Sequence, residues 1–121
     1  MRLNPDCVRD ILLSAEEMAD GKKLIAWDCS VQFRKYSADV FRYHVLQCQR
    51  YDYFVDGGFV GSTDIFHFSD ISPKAHDFLA NIRDNSMWNK VKKKMVELGV
   101  SSLEQIPVIA AAVVKAQLFG I

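Results

Sequence analysis

Apolar residues recur at helical spacing at Val8, Ile11, Leu12, Ala15 and Ala19, which places one buried stripe on a first helix. Asn4 precedes it as a side-chain cap and Pro5 occupies the first turn, where its missing N–H costs nothing. Asp6 suits the positive end of the helix dipole, and Gly21 is a natural stop. Residues 24–27 read as a short edge strand, whereas 28–36 fit either an irregular helix or a continuing strand. Ser37 opens a second helix with Asp39 in its first turn. Its inward side carries Val40, Phe41, His44, Val45 and Cys48, and its outward side Asp39, Arg42, Tyr43, Leu46, Gln49 and Arg50. Tyr53-Phe54-Val55 then reads as a strand, Asp56-Gly57-Gly58 as a turn and residues 63–71 as the return strand.

Ser72-Pro73 starts a third helix with Phe78, Leu79 and Ile82 on one side, and Asn85-Ser86 reads as its break. Trp88, Val91, Met95 and Leu98 mark a fourth helical stripe that Gly99 ends. Ser101 and Glu104 have capping-box spacing, while Pro107 places the start of regular helix near itself. Residues 106–114 of this last helix leave almost no polar face before Lys115. A helix apolar all round must be buried on more than one side. This predicts a homodimer through the last helix, with Ile106, Ile109, Val113 and Leu118 at the interface; the alternative is a central core helix.

The 121 residues amount to one domain, with 1–72 supplying helices and a hairpin and 73–121 the C-terminal helices. The longest apolar run, 106–114, is too short to span a bilayer, and Arg2 is followed by no secretory leader. Three widely spaced cysteines, Cys7, Cys29 and Cys48, argue against a disulfide framework. A cytoplasmic protein is therefore expected.

Helix, strand, ambiguous segment, helix, strand, turn, strand, helix is the order of a winged helix, so the expected fold class is α+β: a winged helix-turn-helix with additional C-terminal helices. In such proteins the join into the wing commonly holds two apolar residues three apart, a glycine four further on and two apolar residues. Here these slots hold Val45, Cys48, Asp52, Tyr53 and Phe54. Asp replaces glycine, and Asp tolerates the left-handed conformation better than most residues.

The segments NPDCVRDILL, YSADVFRYHV, ISPKAHDFLANIRDNSMWNKVKKK and IAAAVVKAQL together resemble the YjcQ-like, prophage-associated family, a domain of unknown function. Ala75 stands where its members usually have glycine. The resemblance implies a winged-helix fold and a phage or bacterial setting, and no particular activity.

Two functions follow. One is a DNA-binding accessory or transcription-regulatory protein whose second helix reads double-stranded DNA through Arg42, Tyr43, Gln49 and Arg50, residue types suited to base edges and phosphate. The other is a protein-interaction module that keeps the winged helix as a scaffold. Charge distribution bears on the choice. Basic and acidic side chains balance at 15 each, but residues 37–72 hold two basic against five acidic, and 73–121 seven basic against four acidic. The reading helix thus lies in the acidic third, beside a wing with no lysine or arginine, although phosphate contact supplies most non-specific affinity. The run Lys90, Lys92, Lys93, Lys94 reads as a solvated face opposite the Trp88 stripe.

No enzyme, cofactor or metal site is expected. His44 and Cys48 sit one helical turn apart, but no third ligand completes a site, and a hydrogen-bonded core histidine is the simpler reading. His76 reads as a capping or packing residue, and Cys7 as a buried thiol.

Overall fold

The computed structural model describes residues 1–31 and 33–120. Asn4 accepts from the backbone N–H groups of Asp6 and Cys7 and starts α1 (Pro5–Met18), whose buried stripe is Cys7, Val8, Ile11, Leu12 and Ala15. The short strand β1 (Ile25–Asp28) follows. After it the chain turns through residues 29–31, so among the described residues 28–36 is neither a helix nor a longer strand. Asp28 ends the strand by accepting from the Ser30 backbone N–H and hydroxyl. Tyr36 then donates to Asp10 at 2.6 Å and ties the segment to α1.

Ser37 caps α2 (Ala38–Arg50), which buries Phe41, His44, Val45 and Cys48. Beyond it Asp52 takes φ 58°, the left-handed conformation expected at that slot. The forward arm of the following hairpin is β2 (Phe54–Val55) and β3 (Gly58–Phe59), and the return arm is β4 (Ile65–Phe68) and β5 (Asp70–Ile71). All pairings are antiparallel: β2 with β5, and β4 between β1 and β3.

Asp56-Gly57-Gly58 is not the hairpin's turn. Asp56 and Gly57 form a kink within the forward arm, opposite Ser69, and Gly58 already pairs with His67. The kink is anchored: Asp56 has φ 55°, its carbonyl accepts from His67 Nδ1 at 2.8 Å, and its carboxylate accepts from Ser69 Oγ at 2.8 Å. Gly57 is required there by close approach, since a Cβ would stand 2.8 Å from the Cβ of Phe54. The reversal lies instead at 61–64, where Val60 N–H donates to Ile65 O at 2.9 Å and Thr63 Oγ1 donates to Val60 O at 2.6 Å.

Ser72 caps α3 (Pro73–Ile82), and Asp84, accepting from Met87 N–H, caps α4 (Asn85–Leu98). The break between them therefore falls at Arg83-Asp84, just ahead of Asn85-Ser86. Arg9 secures it from α1, donating to the carbonyls of Ile82 and Arg83 and to the Asn85 side chain. Gly99 ends α4 at φ 68°. The Ser101–Glu104 capping box does not form. The last helix, α5 (Ile106–Phe119), has Gln105 at its cap position without a side-chain bond. With Pro107 in the first turn the helix starts too late for Ser101 to cap it, and Ser102 Oγ accepts from Gln105 N–H instead.

The described residues thus form an α+β fold of five helices and two small antiparallel sheets. One core runs from Cys7 to Ala110. Its sheet end is aromatic: Trp27 lies 4.7 Å from Phe68, 5.9 Å from Phe41 and 6.3 Å from Phe54, ring centre to ring centre. Among the described residues Tyr53 is the buried side chain whose hydroxyl finds no hydrogen-bond partner. Its ring packs against Phe78 at 6.0 Å. Tyr53→Phe keeps that packing and removes a desolvated group, so it should raise stability by about 1 kcal/mol, seen as a higher urea midpoint; a loss of similar size would show that the hydroxyl is satisfied.

Candidate functional site

The outward face of α2 and the hairpin beside it form the surface on which the four candidate nucleic-acid contacts lie. The structure brings these residues to one side of the molecule but engages them differently. Arg42 turns onto the hairpin: its Nε lies 3.1 Å from an Asp64 carboxylate oxygen, and its guanidinium stacks 4.3 Å above the centre of the Phe59 ring. Gln49 donates from Nε2 to the Gly57 carbonyl at 3.1 Å. These contacts fasten α2 to both ends of the β3 segment. Each is individually modest, a surface ion pair adding at most about 1 kcal/mol and a cation–π contact about 0.5–1 kcal/mol. Together they hold both side chains against the protein.

Tyr43 is half-buried, with its ring edge-on to His44 at 5.2 Å. Arg50 is exposed in the last turn of α2. Leu46, expected on the outer surface, is half-buried. Around them, residues 51–73 carry Asp52, Asp56, Asp64 and Asp70 and no lysine or arginine. Asp64 and Phe59, the partners of Arg42, escaped sequence reading: they lie far along the chain, and no local spacing links them to α2.

Behind this face sits His44, fully buried. Its Nδ1 lies 2.7 Å from the Val40 carbonyl, and its Nε2 accepts the Asn4 backbone N–H at 2.7 Å. A carbonyl partner fixes the proton on Nδ1 and an N–H partner fixes Nε2 as acceptor, so the ring is held neutral. Burial depresses its pKa below 6.5, only partly offset by the Val40 bond. The core-histidine reading therefore describes His44 well, and Cys48 beside it is a buried free thiol. Burial, reinforced by Asp10 and Asp64 respectively, pushes the Cys7 and Cys29 thiols up to about 12, and burial raises Cys48 likewise. None is poised as a thiolate nucleophile. Among the described residues no three His, Cys, Asp or Glu side chains converge to hold a metal ion. His76 joins a surface cluster, with Nδ1 3.3 Å from Glu16 and Nε2 3.7 Å from Asp70. Glu16 also accepts two hydrogen bonds from Arg83, at 2.6 and 2.8 Å. The cluster links α1, β5 and α3.

The expected interface residues of the last helix separate. Ile106 and Ile109 face the chain's own core, Val113 is half-buried, and Leu118 is exposed. Ile106 and Ile109 are therefore corrected from interface to core, because α5 packs those positions against α3 and α4. The apolar side that α5 leaves uncovered is Val108, Ala111, Ala112, Leu118 and Phe119. No helix among the described residues is long and apolar enough to cross a membrane.

A family model described as "Hypothetical protein (DUF2513)" matches residues 2–101. No match exists among curated proteins or solved structures.

Proposed function

The chain belongs to the DUF2513 family of hypothetical proteins, and from that premise we propose that it is a non-enzymatic protein-interaction module on a winged-helix scaffold. The strand order β1-β4-β3, with α2 leading into the hairpin, supports the winged-helix description. The YjcQ-like resemblance, with its phage or bacterial setting, and a cytoplasmic location belong to the same proposal. One observation carries the choice of protein over DNA. Arg42 and Gln49, two of the three arginine and glutamine side chains that this face would offer to base edges, are bound to Asp64, Phe59 and Gly57 of the same chain.

A side chain that must leave an internal ion pair, a ring face and a hydrogen bond before it meets a base gives up part of each contact it makes there. The neighbouring hairpin supplies no cation to offset this, and its three aspartates, with Asp52 just ahead of it, repel phosphate. Of the four candidates only Arg50 stands exposed. The α2 face thus reads as part of the scaffold, and contact with partners falls to other surfaces.

The joint substitution Arg42→Ala and Gln49→Ala tests this assignment. It should loosen the hairpin, with faster amide exchange at Phe59, Val60 and Ile65 and a stability loss of about 1–2 kcal/mol. Unchanged exchange in the hairpin would remove the ground for the reading, because the two side chains would then be free for a ligand.

A further inference from the structure

We propose that the groove between α4 and α5 docks an acidic amphipathic helix of a partner protein, an inference that rests on the interaction-module reading above and names the partner's chemistry. The groove has a volume of about 550 Å³. Leu98, Ala112, Val113 and Ala116 give it an apolar lining, and Lys90, Lys93, Lys94 and Glu97 line its α4 side. Ala112 and Ala116, one turn apart on α5, leave the channel open because a methyl group fills so little of it. Leu98 is 57% exposed, and Phe119, at the end of α5, is 67% exposed. The α5 helix is apolar nearly all round, yet among the described residues its buried side holds only Ile106, Ile109 and Ala110. Such a helix calls for cover on a second side.

Charge selects the occupant. The charged side chains that line the groove are three lysines against one glutamate. Lys94 pairs with Glu97 at 3.6 Å and Lys90 reaches across to Gln117 at 2.9 Å, while Lys93 has no ion pair among the described residues. An apolar floor with a basic rim matches a helix bearing one apolar stripe and flanking carboxylates. A second copy of the chain fits poorly: a two-fold contact through this groove sets one lysine rim near its own image. Nucleic acid would use the rim and leave the apolar floor bare. A lipid surface engages a protruding apolar face better than a recessed one.

The test uses the full chain and a fluorescein-labelled synthetic peptide of about four helical turns, with leucines on one face and glutamates on the others. Wild type should bind it with an affinity that falls as salt rises, and amide resonances should shift at Leu98, Ala112, Val113 and Ala116. Lys93→Glu with Lys94→Glu should weaken binding about tenfold and should favour the same peptide with lysines in place of glutamates. Both lysines are exposed, so these variants should fold as wild type, checked by circular dichroism. Ala112→Trp should block the groove without touching the rim. Absence of binding would overturn the proposal. So would shifts confined to α2 and the hairpin, a doubled mass in solution that Ala112→Trp reverts, or capture by anionic vesicles in preference to the peptide; these outcomes leave the interaction-module reading standing. Salt-dependent binding of duplex DNA that displaces the peptide would overturn both.

Discussion

Trp27→Ala should cost about 3–5 kcal/mol, a large share of the total stability of a domain, which is of the order of 5–15 kcal/mol. Trp27 is fully buried at the centre of the sheet end, edge-on to Phe68 at 4.7 Å and in contact range of Phe33, Phe41 and Phe54. It joins β1 to α2 and to both arms of the hairpin, so truncation opens a cavity that no single neighbour can fill. Its indole N–H faces the Met18 sulfur at 3.2 Å, a weak partner, so packing dominates the loss. Trp27→Phe should retain more than half of the contribution. Urea unfolding followed by circular dichroism measures both; a loss under about 1 kcal/mol for the alanine variant would show that the aromatic cluster is not the keystone of the sheet end.

His44 should make the fold acid-sensitive. Its folded-state pKa is held below 6.5, first by burial, and its neutral ring is what accepts from Asn4 and donates to Val40. The sign follows from the direction of the shift. Above pH 6.5 neither state takes up the proton and the stabilisation is complete. As pH falls from 6.5 toward the depressed folded value, the unfolded chain binds a proton that the folded chain refuses, and stability drops. Protonated Nε2 can no longer accept from Asn4, whose side chain caps α1. His44→Leu should lose about 1–3 kcal/mol at neutral pH by orphaning the Asn4 N–H, and should lose the pH slope below 6.5 as well. Urea midpoints at pH 7.5 and 5.5 for both proteins decide it. An equal slope in the leucine variant would assign the acid sensitivity to other groups.

The helices were legible in the sequence because each carries local signals. Asn4, Ser37 and Ser72 cap the helices that follow them, as their positions predicted, and the stripes of α1 to α4 are largely buried as spaced. The hairpin was legible in its arms and misread in its turn. Asp56-Gly57 has the residue types of a reversal, yet Gly57 is there because Phe54 crowds it, a cause that appears only once the arms are packed. The α5 helix was legible as apolar all round, but which side meets the core depends on α3 and α4, so two expected interface residues, Ile106 and Ile109, proved internal. At the candidate site the sequence separated the buried side of α2, with Phe41, His44, Val45 and Cys48, from the other side, but it could not identify the partners that half-bury Arg42 and Gln49. Asp64 meets Arg42 only because the hairpin folds back over the helix, and that single contact changes what an outward arginine is free to do.

Fluorescence anisotropy of labelled mixed-sequence duplex DNA, titrated with the full chain at low and at physiological ionic strength, tests the assignment of α2 most directly. A scaffold role for Arg42 and Gln49 is expected to give no saturable, salt-dependent binding at low salt, and no change on Arg50→Ala. Saturable binding that weakens steeply with salt, with a slope reduced by about one on Arg42→Ala and again on Arg50→Ala, would contradict it and make α2 a DNA-reading helix.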